Sequence, residues 1–219
     1  LKLERSEQED QFKMRQFSPT RSDNIGFSSK KVDYILEDEH GHLWVLSAYT
    51  IDYMNLETGI VRSVNHAMMD EVRDENGISD VILDQDGKVL VLFEEAGVFY
   101  IDPTASNPQL QPYFTEQLQL PALEEGSHTR LYLDSRKQLW LGRSSEGIFL
   151  IDSARTSFEF LSYDPDRFGS ISSAYISCIY EGEEGQIWIG AGKGLNRGKR
   201  VSGLYLSLIH ISEPTRLEP

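Results

Sequence analysis

One pattern, written four times, constrains this chain more than anything else in it. The clearest copy runs from Ala174 to Arg197, AYISCIYEGEEGQIWIGAGKGLNR. An apolar alternating run (Tyr175, Ile176, Cys178, Ile179) leads through a polar glycine turn (Glu181 to Gly185) into a short strand at Ile187, Trp188 and Ile189. A glycine-rich connector, Gly190 to Gly194, follows. This order predicts a β-hairpin with a third strand behind it. With Trp188 as the anchor, Trp44, Leu90 and Trp140 take the same place in three earlier copies, at intervals of about 48 residues, a period at which blade-like repeats occur.

The columns around the anchor have a physical logic. Twelve residues before it stand Val32, Ile78, His128 and Ile176, and nine before it stand Ile35, Val81, Leu131 and Ile179. Six before come Asp38, Asp84, Asp134 and Gly182; three before come Gly41, Gly87, Lys137 and Gly185. Immediately before lie Leu43, Val89, Leu139 and Ile187. An Asp opens a tight turn by accepting backbone hydrogen bonds, and a Gly three residues later supplies positive φ. Lys137 and Gly182 break this rule, so their two turns should differ in type. The anchor ring fills the wedge between adjacent sheets. Leu90 fills less of it, and the second copy should be the least well packed.

A third strand follows each anchor: Gly97-Val-Phe-Tyr-Ile-Asp102, Gly147-Ile-Phe-Leu-Ile-Asp152, the weaker Thr50-Ile-Asp-Tyr-Met-Asn55, and the start of a fourth at Gly194-Leu-Asn-Arg197. Then come a turn and a fourth strand, best seen in Phe158-Glu-Phe-Leu-Ser-Tyr163. Four short antiparallel strands per repeat make a propeller blade. The expected fold is all-β, a β-propeller fragment of about four four-stranded blades, incomplete at both ends. Residues 1–29 read as the end of a preceding blade and a linker, with Leu1 to Asp10 frayed. Blades follow at 30–77, 78–127 and 128–173, the connector from Thr115 to Ser127 having room for a helical turn. An incomplete blade occupies 174–205. The two end blades should expose apolar faces.

Residues 206–219, beginning Leu206-Ser-Leu-Ile-His-Ile-Ser-Glu-Pro-Thr-Arg216, match no column. They resemble the translation of a transposase-type sequencing adapter and are expected to lie outside the fold. The chain begins at Leu1 rather than Met and reads as a piece of a longer protein. It contains no signal peptide and no apolar run long enough to cross a bilayer. Its formal net charge of −14 argues against nucleic acid or an anionic membrane as partner. The single cysteine, Cys178, excludes an intrachain disulfide and reads as an inward strand position.

Asp-x-x-Gly-x-(Leu/Ile)-Trp-(Ile/Leu)-Gly, then Gly-Leu-x-Arg, then a Phe-containing strand and Asp-Pro…Ser-Ile-Ser-Ser, resembles the two-component regulator propeller repeat. The likeness runs over nearly all of residues 12 to 200. It is strongest at Asp134 to Asp152 and Ile176 to Arg197, and weakest at Leu90 and at Ala48 to Met54. The resemblance implies a parent of the hybrid sensor histidine kinase type found in Bacteroides-like bacteria. There, periplasmic propellers precede a membrane helix and a cytoplasmic kinase. It also implies that an oligosaccharide or related polymer is the ligand, that the rest of the same sensor chain is a partner, and that the full-length parent could be a homodimer. No kinase residues lie in this chain.

The motifs that could carry other chemistry fall short. Gly190-Ala-Gly192-Lys193-Gly194 lacks the outer Gly and the Ser/Thr of a phosphate loop, and Leu195 stands where a dinucleotide fingerprint needs Gly. Asp38-Glu-His-Gly41 and Asp84-Gln-Asp86-Gly87 lack the third acidic ligand and distal Glu of a calcium loop. His40 and His42 have no third ligand for a metal. Glu94/Glu95, Glu124/Glu125 and Glu183/Glu184 are adjacent pairs whose members point to opposite faces of a strand, and Ser28-x-x-Lys31 lacks its supporting motifs. No cofactor, metal or catalytic residue is assigned. A propeller hydrolase or lyase, or a free-standing interaction scaffold, is the alternative to a sensor.

Connectors between second and third strands share one face with those between blades. The ligand-binding candidates there are Tyr49, Glu94, Arg143, Ser144 and Lys193, with Arg21, Arg167 and Phe168 from the blade linkers. Aromatic rings would stack on sugar faces, while Arg and Glu would hydrogen-bond hydroxyls or acidic groups.

Overall fold

In the computed structural model, the described residues are 2–5, 12–15, 17, 26–64, 77–94, 96–114, 128–143, 146–152, 154, 157–167, 169–201 and 204–211. Two strands, β1 (Lys2–Arg5) and β2 (Phe12–Arg15), pair as an antiparallel hairpin. Four four-stranded antiparallel sheets follow, each in plain sequence order. Sheet one is β3 (Tyr34–Glu37), β4 (His42–Ser47), β5 (Thr50–Asn55) and β6 (Val61–Ser63). Sheet two is β7 (Ile78–Leu83), β8 (Val89–Phe93), β9 (Gly97–Ile101) and β10 (Gln111–Pro112). Sheet three is β11 (His128–Leu133), β12 (Leu139–Arg143), β13 (Gly147–Ile151) and β14 (Phe158–Ser162). Sheet four is β15 (Ile176–Glu181), β16 (Ile187–Ala191), β17 (Gly194–Val201) and β18 (Leu204–Ile211). The first strands β3, β7, β11 and β15 neighbour one another in succession, as the inner strands of blades around one axis do. The all-β propeller reading holds.

Strand alternation sorts the side chains into two faces. The anchor and the residue two beyond it point forward, toward the next sheet. Residues on either side of the anchor point backward. Trp44, Leu46, Ile51 and Tyr53 of sheet one therefore meet Val89, Val91, Phe93, Phe99 and Ile101 of sheet two. Leu90, Leu92 and Val98 in turn meet Leu131, Leu139, Leu141, Phe149 and Ile151. Trp140, Ile148 and Leu150 meet Ile176, Ile187 and Ile189. The backward face of sheet one is not left bare, because Val45, Met54 and Val61 pack with Phe27 and Phe17. Only one of the two expected bare ends is seen.

The Asp column ties the turn to the anchor. Asp38 Oδ1 accepts the N–H of His40 and of His42, both at 2.9 Å, and Oδ2 accepts Trp44 Nε1 at 2.8 Å. Asp134 repeats the set with Arg136, Gln138 and Trp140. Asp84 makes the two turn bonds, to Asp86 and Lys88, and its copy has Leu90 where an indole N–H would be.

Several expectations need correction. Lys137 does not change its turn: it takes φ 63, close to Gly41 at 76 and Gly87 at 78, and keeps the same backbone bonds. The Asp134 carboxylate fixes the turn even with a side chain in the left-handed region. The Gly182 turn does differ. It tightens into a short 3-10 turn, Glu183–Gly185, with Glu184 at φ 58. Leu90 is fully buried whereas Trp188 is only half-buried, so the thinnest packing is at the fourth anchor. Cys178 is exposed rather than inward, because its face has no following sheet among the described residues. Lys2–Arg5 is a paired strand, with Glu4 in register with Lys13. Sheet four is also complete, since Leu204–Ile211 pairs along the open edge of β17. Edge pairing uses backbone groups and needs no repeat columns, so 206–211 joins the fold although it matches no column of the repeat. Residues 212–219, the Thr115–Ser127 connector and most of the first linker lie outside the described residues.

Two substitutions separate the roles of the Asp column. Asp134→Ala strips the buried Trp140 indole and two part-buried turn N–H groups of their acceptor and should cost about 3 kcal/mol. Asp84→Ala, in a half-exposed turn with no indole to satisfy, should cost about 1 kcal/mol. Urea denaturation followed by tryptophan fluorescence measures both, and equal losses would show that the indole bond adds nothing.

Candidate functional site

The end of the blades opposite the Asp turns carries the connectors between second and third strands and the linkers between blades. First strands begin there, and β7, β11 and β15 each have a bulge at their first turn of ladder, at Ser79, Thr129 and Ser177. A bulge turns a backbone carbonyl out of the ladder toward a neighbour. Tyr34 Oη donates to Ser79 O at 2.5 Å, and Arg130 Nε donates to Ser177 O at 2.8 Å. Between them, Asp80 Oδ2 accepts the N–H of Leu131 at 2.8 Å. Tyr34, Asp80 and Arg130 all stand ten residues before their anchors. One position thus latches each first strand to the next with three different side chains, a column that residue identity hides.

Burial pushes the Asp80 carboxyl up, more than the N–H groups of Leu131 and Val81 and the charge of Arg130 pull it down. Burial also raises the Tyr34 hydroxyl, and the charge of Asp80 adds to it. Asp38, on the opposite end, shifts the other way. Burial pushes it up, but the hydrogen bonds from Trp44, from the backbone and ring of His42, and from His40 outweigh that and hold it below the usual range.

A second device fixes the linkers. Asp52, fully buried on β5, accepts the N–H and hydroxyl of Ser28 at 2.7 Å each, and the hydroxyl of Ser63. Asn196, fully buried on β17, accepts the N–H of Ser172 at 2.9 Å and donates to its hydroxyl. Phe27 and Ile171 are thereby seated in the core just before each serine. Phe27-Ser28-Ser29 and Ile171-Ser172-Ser173 were the available sequence signal for this.

The expected ligand residues fall into separate groups. Tyr49 is half-exposed in the two-residue turn between β4 and β5. Ala48 O in that turn accepts the N–H of Ile78, and Glu94 N–H bonds Gly77 O, so Tyr49 and Glu94 flank the first blade boundary. Lys193 lies at the last boundary. Its ammonium is 3.3 Å from Tyr163 Oη and 4.9 Å from the centre of that ring. Gly192 N–H bonds Tyr175 O, which brings the exposed Tyr175 beside them. Arg167 is exposed in the turn that starts at Asp164. Arg143 is a correction. It is 1% exposed, with Nη1 at 2.5 Å from Glu146 Oε2 and the guanidinium over Phe149, so it supports the connector from within. Ser144, Arg21 and Phe168 lie outside the described residues. Tyr163 and Tyr175, which sequence reasoning did not single out, complete the aromatic and cationic group. Among the described residues no group of three or more His, Cys, Asp or Glu could hold a metal ion. No helix among them is long and apolar enough to cross a membrane.

Opposite pH signatures should separate the two shifted carboxylates. The folded Asp80 lies above its unfolded value of about 3.9, so its contribution is full below that pH and is lost as pH rises through the folded value. Asp38 contributes above about pH 3.9 and loses that contribution as pH falls through its lowered folded value. Across about pH 3 to 7, unfolding free energies of Asp80→Asn should rise with pH relative to the parent chain, and those of Asp38→Asn should fall. Parallel trends would contradict the assignment.

Comparison with known proteins agrees with this architecture. Residues 170–193 match the family model described as two component regulator propeller. The matched stretch is the one where the repeat columns are clearest. No curated protein sequence matches the chain. The extracellular domain of the hybrid two component system BT3049 of B. thetaiotaomicron superposes with a TM-score of 0.66 at 16% identity, over 90% of this chain and 26% of that one. The corresponding domain of BT4673 from the same organism gives 0.60 at 15%, over 94% and 24%. A chain of the mitotic checkpoint complex gives 0.51 at 12%, over 89% and 61%. At these identities the likeness shows the propeller fold, and the chain spans about a quarter of the length of the two sensor domains.

Proposed function

We propose that this chain is a ligand-sensing propeller segment from the periplasmic sensor region of a hybrid two-component system. It recognises an oligosaccharide or related polymer and passes the signal to a histidine kinase elsewhere in the same parent chain, which acts as a homodimer. The observation that carries the reading is the family match at 170–193, because that stretch contains Tyr175 and Lys193 of the connector face. The solved domains it superposes on are extracellular parts of hybrid two component systems, which supports the same placement. The segment binds rather than catalyses: the connector face presents Tyr163, Tyr175 and Lys193, a ring-and-ammonium arrangement suited to stacking and hydrogen bonding.

Isothermal titration of the full chain with a panel of neutral and acidic oligosaccharides tests this. A binder with a Kd of about 1 mM or tighter is expected. Tyr175→Ala or Lys193→Ala should weaken it roughly five- to tenfold, about 1 kcal/mol for a lost stacking or cationic contact. A panel without any binder at that level would remove the carbohydrate reading. A binder indifferent to both substitutions would move the site elsewhere.

A further inference from the structure

Lys193 and Tyr163 meet where the linker between sheets three and four begins. Tyr163 follows the outer strand β14, and Lys193 sits in the two-residue turn between β16 and β17. Lys193 Nζ donates to Tyr163 Oη at 3.3 Å and stands 4.9 Å from the centre of its ring. Tyr163 is 37% exposed and the neighbouring Tyr175 is 64% exposed. Gly192 sets the spacing between them. Its N–H bonds Tyr175 O at 2.9 Å, and a Cβ there would stand 3.1 Å from Ser173 Oγ and 3.4 Å from Tyr175 Cβ. The repeat does not require this group. The corresponding positions at the two preceding blade boundaries hold Asn65 with Glu95 and Thr115 with Ser145.

A phenol oxygen that accepts a hydrogen bond from an ammonium points its own hydrogen elsewhere. Among the described residues nothing accepts from Tyr163 Oη, so that hydrogen is presented outward, beside a positive charge. A neutral hydroxyl bound there gains the hydrogen bond alone, whereas an anion gains the charge as well. The carboxylate of Asp164 is turned into its own loop, with Oδ1 accepting the Asp166 N–H at 3.0 Å. The exposed Asp166 is offset by the exposed Arg167 next to it. We propose that Tyr163, Lys193 and Tyr175 form a subsite for an acidic sugar. Its ring stacks on Tyr175, and its carboxylate or sulfate accepts from Tyr163 Oη beside Lys193. This rests on the sensor reading and names its substrate class. The net charge of −14 repels an anion at long range, but physiological salt screens that field beyond about 8 Å and leaves a contact pair largely intact. The preference for charge is therefore local.

Calorimetric titration of the full chain in about 0.15 M salt, with matched pairs of oligosaccharides, tests this. Oligogalacturonate and a hyaluronan tetrasaccharide are each compared with their carboxyl-reduced, neutral forms. A sulfated galactan oligosaccharide is compared with its desulfated form. At least one acidic member should bind about tenfold more tightly than its neutral counterpart, and the pair that shows this tells a carboxylate from a sulfate. Lys193→Gln should erase the difference and Lys193→Arg should keep it. Tyr163→Phe, which retains the ring, should reduce it. Neutral members bound as tightly as acidic ones overturn the proposal and leave the sensor reading standing. An acidic preference that survives Lys193→Gln overturns it as well, because the charge then acts elsewhere. A chain that binds neither member of any pair overturns the proposal together with the sensor reading.

Discussion

The structure depends on a carboxylate that is asked to do three things at once. Asp38 and Asp134 each accept two turn N–H groups on one oxygen and the anchor indole on the other. A buried acceptor with its donors all supplied costs little, whereas any one donor left unpaired would cost on the order of 1–3 kcal/mol. The turn therefore forms in one conformation, the indole points in one direction, and that direction is toward the next sheet. Sheet spacing and turn geometry become a single constraint. Where the Asp is missing, at Gly182, the turn tightens and a Cβ would stand only 3.0 Å from Trp188 Nε1, so the indole occupies the room the carboxylate would need.

The interfaces between blades show a different kind of repetition. At the inner strands a hydroxyl, a carboxylate and a guanidinium take turns at one position, each reaching backbone of the neighbouring first strand. At the linkers an Asp and an Asn take turns holding a serine. In both cases the repeated object is a backbone group that needs a partner, and several side-chain chemistries can supply one. The opposite end adds its own links, with Ser135 held by Glu181 and Lys137 paired to Asp86. Sheets two, three and four are thus tied in succession by polar contacts at both ends of an apolar core, and sheet one is latched to sheet two at the connector end.

This explains what the sequence could and could not reveal. The hairpins, the four sheets and the alternation of core residues were readable from Trp44, Trp140, Trp188 and the Asp–Gly spacing, because turn chemistry and period-two burial restrict residue type. The latches were not readable, because Tyr34, Asp80 and Arg130 share a location and no property. Lys137 misled for a related reason: the residue looked wrong for its turn, but Asp134 held the backbone regardless. Arg143 misled through its charge, which suggests solvent until Glu146 and the Phe149 ring are seen around it. The tail misled because strand pairing asks only for an extended backbone and an open edge.

The proposed sensing role would draw on the positions these constraints leave free. The repeat columns are used up by turns, anchors and latches, and a fold by itself does not fix a role. Tyr163, Tyr175 and Lys193 belong to none of those columns. They stand on connectors whose backbone is pinned from below, Gly192 to Tyr175 O and Ser172 to Asn196, so exposed side chains are carried on a fixed frame. Rings that are exposed yet held in place lose little conformational entropy when something stacks on them. Under the proposed sensing role, the bond from the fully buried Asn196 to the half-buried Ser172 would help to position the groups that touch a ligand.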